Sequence, residues 1–169
     1  WGGKTCFRAP KEQEWKGKME GEMEGKKPGV SDALQIMEGV LAELGNEAGA
    51  LCKRHLDYVM AENKSRDWDN KSILYAQTRI RGYGLTANWY EVKWYGKKAT
   101  KTRRMVKTLI RKPAKGHSYN MATLAKYAQP WEEDMVGEVE AGLGVIRHKV
   151  AIVSKVLLLL NQLERLESE

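Results

Sequence analysis

Two apolar runs near opposite ends of the chain restrict its fold more than any other feature. Val30, Leu34, Met37, Leu41, Leu44, Ala48, Leu51, His55 and Tyr58 alternate spacings of four and three without a slip, the a/d pattern of a helix with one narrow apolar seam. Val136, Val139, Leu143, Ile146, Val150, Val153, Leu157 and Leu160 repeat it. At 1.5 Å per residue each seam runs along roughly 40 Å of helix. Two such helices of matched length bury their seams most simply against each other, as an antiparallel hairpin within one chain or as a homodimer, and the spacing leaves both open. Ser31 or Asp32 after Pro28-Gly29 can cap the first helix, and turn formers over 63–70 end it, which predicts a helix over 30–62. Pro130 with Glu132, Glu133 and Asp134 behind it suits a helix start, predicting the second helix over 130–167. Gly45 and Gly49 permit a close helix approach or a kink. Beyond Leu160 the stripe shifts to Leu163 and Leu166, an apolar flank open to a partner.

The segment between the seams differs in both charge and period. Residues 1–70 carry a net −2 and residues 116–169 a net −3, whereas residues 71–115 hold 13 Lys and Arg against one acid, Glu91, a net +12. A basic block inside a slightly acidic remainder is the footprint of a phosphate-binding surface rather than of general solubility. The stretches 85–95 and 99–110 are rich in Trp, Tyr, Val, Thr and Ile, and Gly96-Lys97 suits a tight turn between them, so a basic β-hairpin is predicted. A hairpin alone is marginal in water, and residues 75–83 supply a third strand ending at Gly82 and Gly84. The predicted architecture is α+β and mostly helical: a coiled-coil-like stalk of two helices with a small basic sheet, over 73–112, between them. A short helix over 120–128 follows the loop containing Pro113 and Gly116. All of this forms one domain, 30–169. The Gly-, Lys- and Glu-rich residues 1–29 lack an apolar period and read as a flexible or partner-held tail.

The candidate nucleic-acid contacts are Lys93, Lys97, Lys98, Lys101, Arg103, Arg104, Lys107, Arg111 and Lys112, joined by Lys115 and His117 of the following loop. A two-stranded ribbon fits the major groove of B-DNA, with Arg103 and Arg104 reaching guanine edges while lysines hold the backbone. Alternation places Tyr90, Val92 and Trp94 on one face of a strand and Trp89, Glu91, Lys93 and Tyr95 on the other. One aromatic set belongs to the core. The other is free to stack on an unpaired base, for which Trp89 and Tyr95 are the candidates. The plainer reading of the block is a solvated charged hairpin, but a local +12 repels itself and gains little without an anionic partner.

Catalysis finds little support. His55 lies on the apolar seam, His148 between Arg147 and Lys149 reads as solvent-facing, and His117 has no acid nearby in sequence. The sequence contains no Walker loop, metal-spaced histidines or nucleophile motif, so no catalytic residue, metal or cofactor is expected. Cys6 and Cys52 are far apart and outside any CxxC, so neither a disulfide framework nor a zinc site is indicated, and a reducing, cytoplasmic setting fits best. The most apolar run, 150–160, is too short for a membrane span and carries Lys155, so no membrane partner is expected. The chain starts at Trp1 rather than Met and reads as a fragment or processed product, so its start says nothing of targeting.

The order of the central features, "NWYEVKWY", a basic run and then "KGHSYNMATLAKYAQPWEEDMVGEVE" leading into a long helix, resembles the MobI family of conjugative-transfer proteins over residues 85–147. That resemblance implies an accessory DNA-binding role at an origin of transfer, assisting a relaxase rather than nicking DNA, and it carries over no established site residues. The residues alone agree in class: a binding module for DNA, duplex or partly single-stranded. The competing reading is a coiled-coil interaction protein without specific nucleic-acid binding, which needs the seams but not the basic residues. A DNA-processing enzyme is a third.

Overall fold

The computed structural model describes residues 29–97 and 99–168. The predicted tail therefore lies, Gly29 apart, outside the described residues. Helix α1 (Val30–Glu62) opens at Gly29, whose amide donates to Asp32 Oδ2 at 2.8 Å. Asp32 thus serves from inside the first turn, and Gly29 rather than Ser31 or Asp32 is the cap. After a 3₁₀ turn (Trp68–Asn70) come strands β1 (Leu74–Arg81), β2 (Gly84–Tyr95) and β3 (Arg104–Leu109). Helix α2 (Met121–Leu124) is shorter than the predicted 120–128; the Asn120 carboxamide accepts from the Ala122 amide at its start. A 3₁₀ turn (Pro130–Glu132) leads into helix α3 (Glu133–Ser168).

The helices α1 and α3 pack on each other within the chain, and their seams become its core. Leu34, Leu41, Leu44, Ala48 and His55 of α1 are buried, as are Val136, Val139, Leu143, Ile146, Val150, Val153 and Leu157 of α3. Of the two arrangements that the spacing leaves open, the chain adopts the intramolecular packing of one seam on the other. The seam of α1 also drifts: Cys52 and Val59 are buried where the heptad expects Leu51 and Tyr58, which are half-buried. A straight helix turns 3.6 residues per turn, not 3.5, so a strict heptad walks around its surface. Here the walk carries the buried stripe of α1 toward the sheet, since β1 lies against α1 and β2 against α3. Close approach is made by α3 rather than by Gly49, around which a β-carbon would meet nothing: one on Gly142 would lie 2.7 Å from Leu51 Cδ1 and one on Gly144 2.3 Å from Ser118 Oγ. Gly45 sits under Ile80.

The sheet is antiparallel with order β1-β2-β3. Arg81 pairs with Gly84 across a two-residue turn whose first position, Gly82, takes φ 51°, a conformation that favours glycine. The second connection differs from the predicted Gly96-Lys97 turn. Tyr95 pairs with Arg104, so 96–103 form a longer loop, in which the Thr102 hydroxyl accepts from the Lys97 amide at 3.1 Å and contacts the Thr100 hydroxyl at 2.8 Å. Those hydroxyls supply the partners that strand pairing would have given.

Candidate functional site

One face of the sheet is buried where β1 and β2 meet the helices, and the other is mostly open, Val92 being buried on it. Leu74 and Ala76 of β1 and Leu85, Ala87 and Trp89 of β2 turn toward the helices and are buried. By the pairing register the opposite face carries Tyr75, Gln77, Arg79 and Arg81, then Asn88, Tyr90, Val92 and Trp94, then Met105, Lys107 and Leu109. Three cations and three aromatic rings stand on it without one carboxylate. Lys107 Nζ lies 3.8 Å from the Tyr75 ring centroid and donates to Gln77 Oε1 at 3.1 Å. Among the described residues, Arg79, Arg81, Arg103 and Lys107 form no ion pair.

Trp89 cannot stack on a base in this fold. It is fully buried, edge-on to His55 (4.9 Å between centroids), and its Nε1 donates to Glu140 Oε2 at 2.7 Å. Glu140 is also buried and accepts from the Tyr119 amide (2.7 Å) and, through both oxygens, from Arg147 (2.8 and 3.0 Å). Arg147 in turn donates to the carbonyls of Ala87 (2.7 Å) and His117 (2.9 Å). This network ties β2, the 117–119 loop and α3 together, with nearly all of its polar groups paired as burial demands. Tyr95 shares the parity of Trp89 but lies near the strand end, where it is about half exposed.

The remaining candidates divide into three groups. Lys97, Lys101 and Arg104 are exposed on the 96–103 loop and at the start of β3, a strand exposed along both faces except at Lys107; Lys98 lies outside the described residues. Arg103 and Arg104 do not read together, since adjacent residues of an extended chain point to opposite sides. Arg104 pairs with Tyr95, while the Arg103 guanidinium lies 4.6 Å from the Trp94 ring and 5.1 Å from Trp68. Lys93 forms an ion pair with Glu91 at 3.0 Å, and that hydrogen bond raises the Lys93 ammonium above its ordinary range. Arg111 and Lys115 are exposed beyond β3, while Lys112 Nζ closes its own loop by donating to the carbonyls of Pro113 and Gly116. His117 stacks on His148 (4.5 Å, 11° between planes). Desolvation, with the neighbouring His148 and Lys112, lowers its pKa.

Sequence reasoning passed over Trp68, Lys71, Arg79 and Arg81. Arg79 and Arg81, two apart on a strand with Tyr75, were signalled by period-2 spacing. Nothing local points to Trp68, which reaches the sheet only through the tertiary fold.

A family model described as MobI protein matches residues 44–161, most of the chain. The chain belongs to the MobI family. MobI proteins are accessory proteins of mobilisation and not catalysts, and among the described residues no group of His, Cys, Asp and Glu could hold a metal ion. No curated protein and no solved structure matches the chain. The MobI match extends past residues 85–147 to take in the second half of α1 and β1, the elements that hold β2 in place. The motif residues most suggestive in the sequence turn out to be architecture. Tyr119 and Asn120 fasten the loop, Trp131 donates to the Asn70 carbonyl at 3.0 Å, and Glu132 accepts from the Gln129 amide at 2.8 Å. Among the described residues no helix is long and apolar enough to cross a membrane.

Proposed function

We propose that this MobI protein binds DNA through the open face of its sheet and the basic 96–103 loop, at an origin of transfer, where it assists a relaxase. The observation that carries this reading is the composition of that face: Arg79, Arg81 and Lys107 interleaved with Tyr75, Tyr90 and Trp94, and no acid. Cations unpaired by protein carboxylates are available to phosphates, and flat rings among them favour bases over a protein partner's mixed surface. Lys97, Lys101 and Arg104 extend the positive field at the β2–β3 loop end of the sheet, and Arg111 and Lys115 extend it beyond the opposite end of β3. The buried helical hairpin is the rigid support. In the competing reading of an interaction protein, the sheet face would be dispensable.

The test is fluorescence anisotropy of the purified chain with a labelled transfer-origin duplex and an unrelated duplex, over about 50–300 mM salt. Salt-sensitive binding that favours the origin fragment is expected, and the combined Arg79→Ala, Arg81→Ala and Lys107→Ala variant should lose at least tenfold in affinity. Binding unaffected by that variant, or absent at low salt, would leave the interaction protein as the better account.

A further inference from the structure

Trp68 and Trp94 come from separate elements, the first 3₁₀ turn and the end of β2, and both are exposed (61% and 49%), yet they converge on one guanidinium, that of Arg103. Between the two elements lies an open cleft of about 470 Å³, within the size range of small-molecule sites. Trp68, Ile73, Val92, Trp94 and Tyr95 give it apolar walls; Lys71, Lys93 and Arg103 give it cations, and no carboxylate lines it. The turn is fixed before any ligand arrives. The Ser72 amide donates to Asn63 Oδ1 (2.9 Å), the Lys71 amide to the Trp68 carbonyl (3.3 Å), and Gln129 Nε2 to the Asp69 carbonyl (3.2 Å).

Apolar walls alone would suit any aromatic side chain. Lys71 and Arg103, which form no ion pair among the described residues, select instead an aromatic group that carries negative charge, and the flat Arg103 guanidinium against two indoles marks a place where a planar group already stacks. We infer that this cleft is a nucleotide site: one unpaired base stacks on Trp68 and Trp94, displacing Arg103, which with Lys71 takes the attached phosphate. This rests on the DNA-binding reading and sharpens it, because a protein so equipped prefers DNA in which a base has left the duplex. The chemistry recognised, a base with its phosphate, is shared by a DNA strand and a free nucleotide; the strand is favoured because the cleft adjoins the open basic face.

The experiment compares two labelled duplexes of one sequence, fully paired or carrying a single unpaired 2-aminopurine, together with free dAMP. The unpaired duplex should bind about tenfold more tightly, with quenching of the 2-aminopurine emission. Trp68→Ala should abolish preference and quenching while leaving affinity for the paired duplex unchanged, and Trp68→Phe should restore most of both. Trp68 lies outside the core, so thermal melting of the Ala variant should match the parent. Equal affinity for both duplexes without quenching overturns the cleft and leaves the DNA reading standing. Failure to bind either duplex overturns both. Binding of dAMP as tight as that of the unpaired duplex overturns the strand assignment in favour of a free nucleotide.

Discussion

At the scale of single residues, the buried polar groups of this chain act on stability in two distinct ways. Glu140 and Arg147 are paired almost out of water, and Glu140 also satisfies the Trp89 indole and the Tyr119 amide. Glu140→Ala should therefore cost about 3–5 kcal/mol, because it strands a buried guanidinium and two further donors. Urea denaturation measures the loss, and a change in Trp89 emission would show that the loop and strand have separated. His55 illustrates the other way. Its Nε2 lies 3.9 Å from Glu132 Oε2, beyond hydrogen-bond reach, and neither atom has another partner among the described residues. Burial pushes each toward its neutral form, lowering His55 to about 4 and raising Glu132. Below the ordinary histidine range of about 6.5 the unfolded chain takes up a proton that folded His55 refuses. Its contribution is thus complete above pH 6.5 and lost as pH falls toward 4, by about 1.4 kcal/mol per pH unit. Glu132 works in the opposite sense: its contribution is complete below the ordinary carboxylate range and lost as pH rises through its raised pKa. Comparison with His55→Leu isolates the histidine, and urea titrations at pH 7, 6 and 5 should show a shallower acid loss in the variant. Parallel curves would mean that folded His55 is protonated.

At the scale of elements, the distinction between buried and exposed positions of α3 is testable within three residues. Leu157 is fully buried on the seam and Leu159 is mostly exposed. Leu157→Asp should unfold the chain or cost several kcal/mol by burying an unpaired charge, while Leu159→Asp should stay within about 0.5 kcal/mol of the parent. Similar melting temperatures for the two would overturn the packing of α1 on α3. That packing was legible in the sequence because spacings of three and four depend only on neighbours along a helix. The rotation of the α1 stripe onto Cys52 and Val59 was not, since it depends on the sheet that covers the helix. Strand existence and the Gly82 turn were likewise readable from β-branched and aromatic runs punctuated by glycine, whereas the 96–103 loop follows from threonine hydroxyl bonds with no periodic signal. Trp89 was the hardest residue to place. Strand parity grouped it correctly with Glu91, Lys93 and Tyr95, but which residues of that face met the helices depended on where β2 crosses α3. Gly144 belongs to the same scale: only the Ser118 hydroxyl stands where its β-carbon would, with Ser118 Cβ at 3.4 Å, so Gly144→Ala should cost less than about 1 kcal/mol, because rotation of that hydroxyl relieves the contact.

The whole molecule separates two tasks. The helices and the Glu140–Arg147 network fix a platform, and most described cations of residues 71–115 stand on the sheet and its loops. Such a separation has a consequence in solution that single contacts do not. If several phosphates are neutralised together, log affinity for duplex DNA falls linearly with log salt, with a slope of about −0.9 for each phosphate contact. Removing one phosphate-contacting lysine should reduce that slope by about one unit and weaken all sequences alike. Lys101→Ala, at an exposed loop position with φ 55°, provides the measurement, because alanine alters neither the core nor the sheet. Its effect should be uniform across origin and control duplexes, with the smaller slope read from titrations at four salt concentrations. An unchanged slope would remove Lys101 from the interface. A slope near zero in the parent chain itself would mean that the positive field is not what holds DNA, and the platform would then be better understood as a surface for another protein.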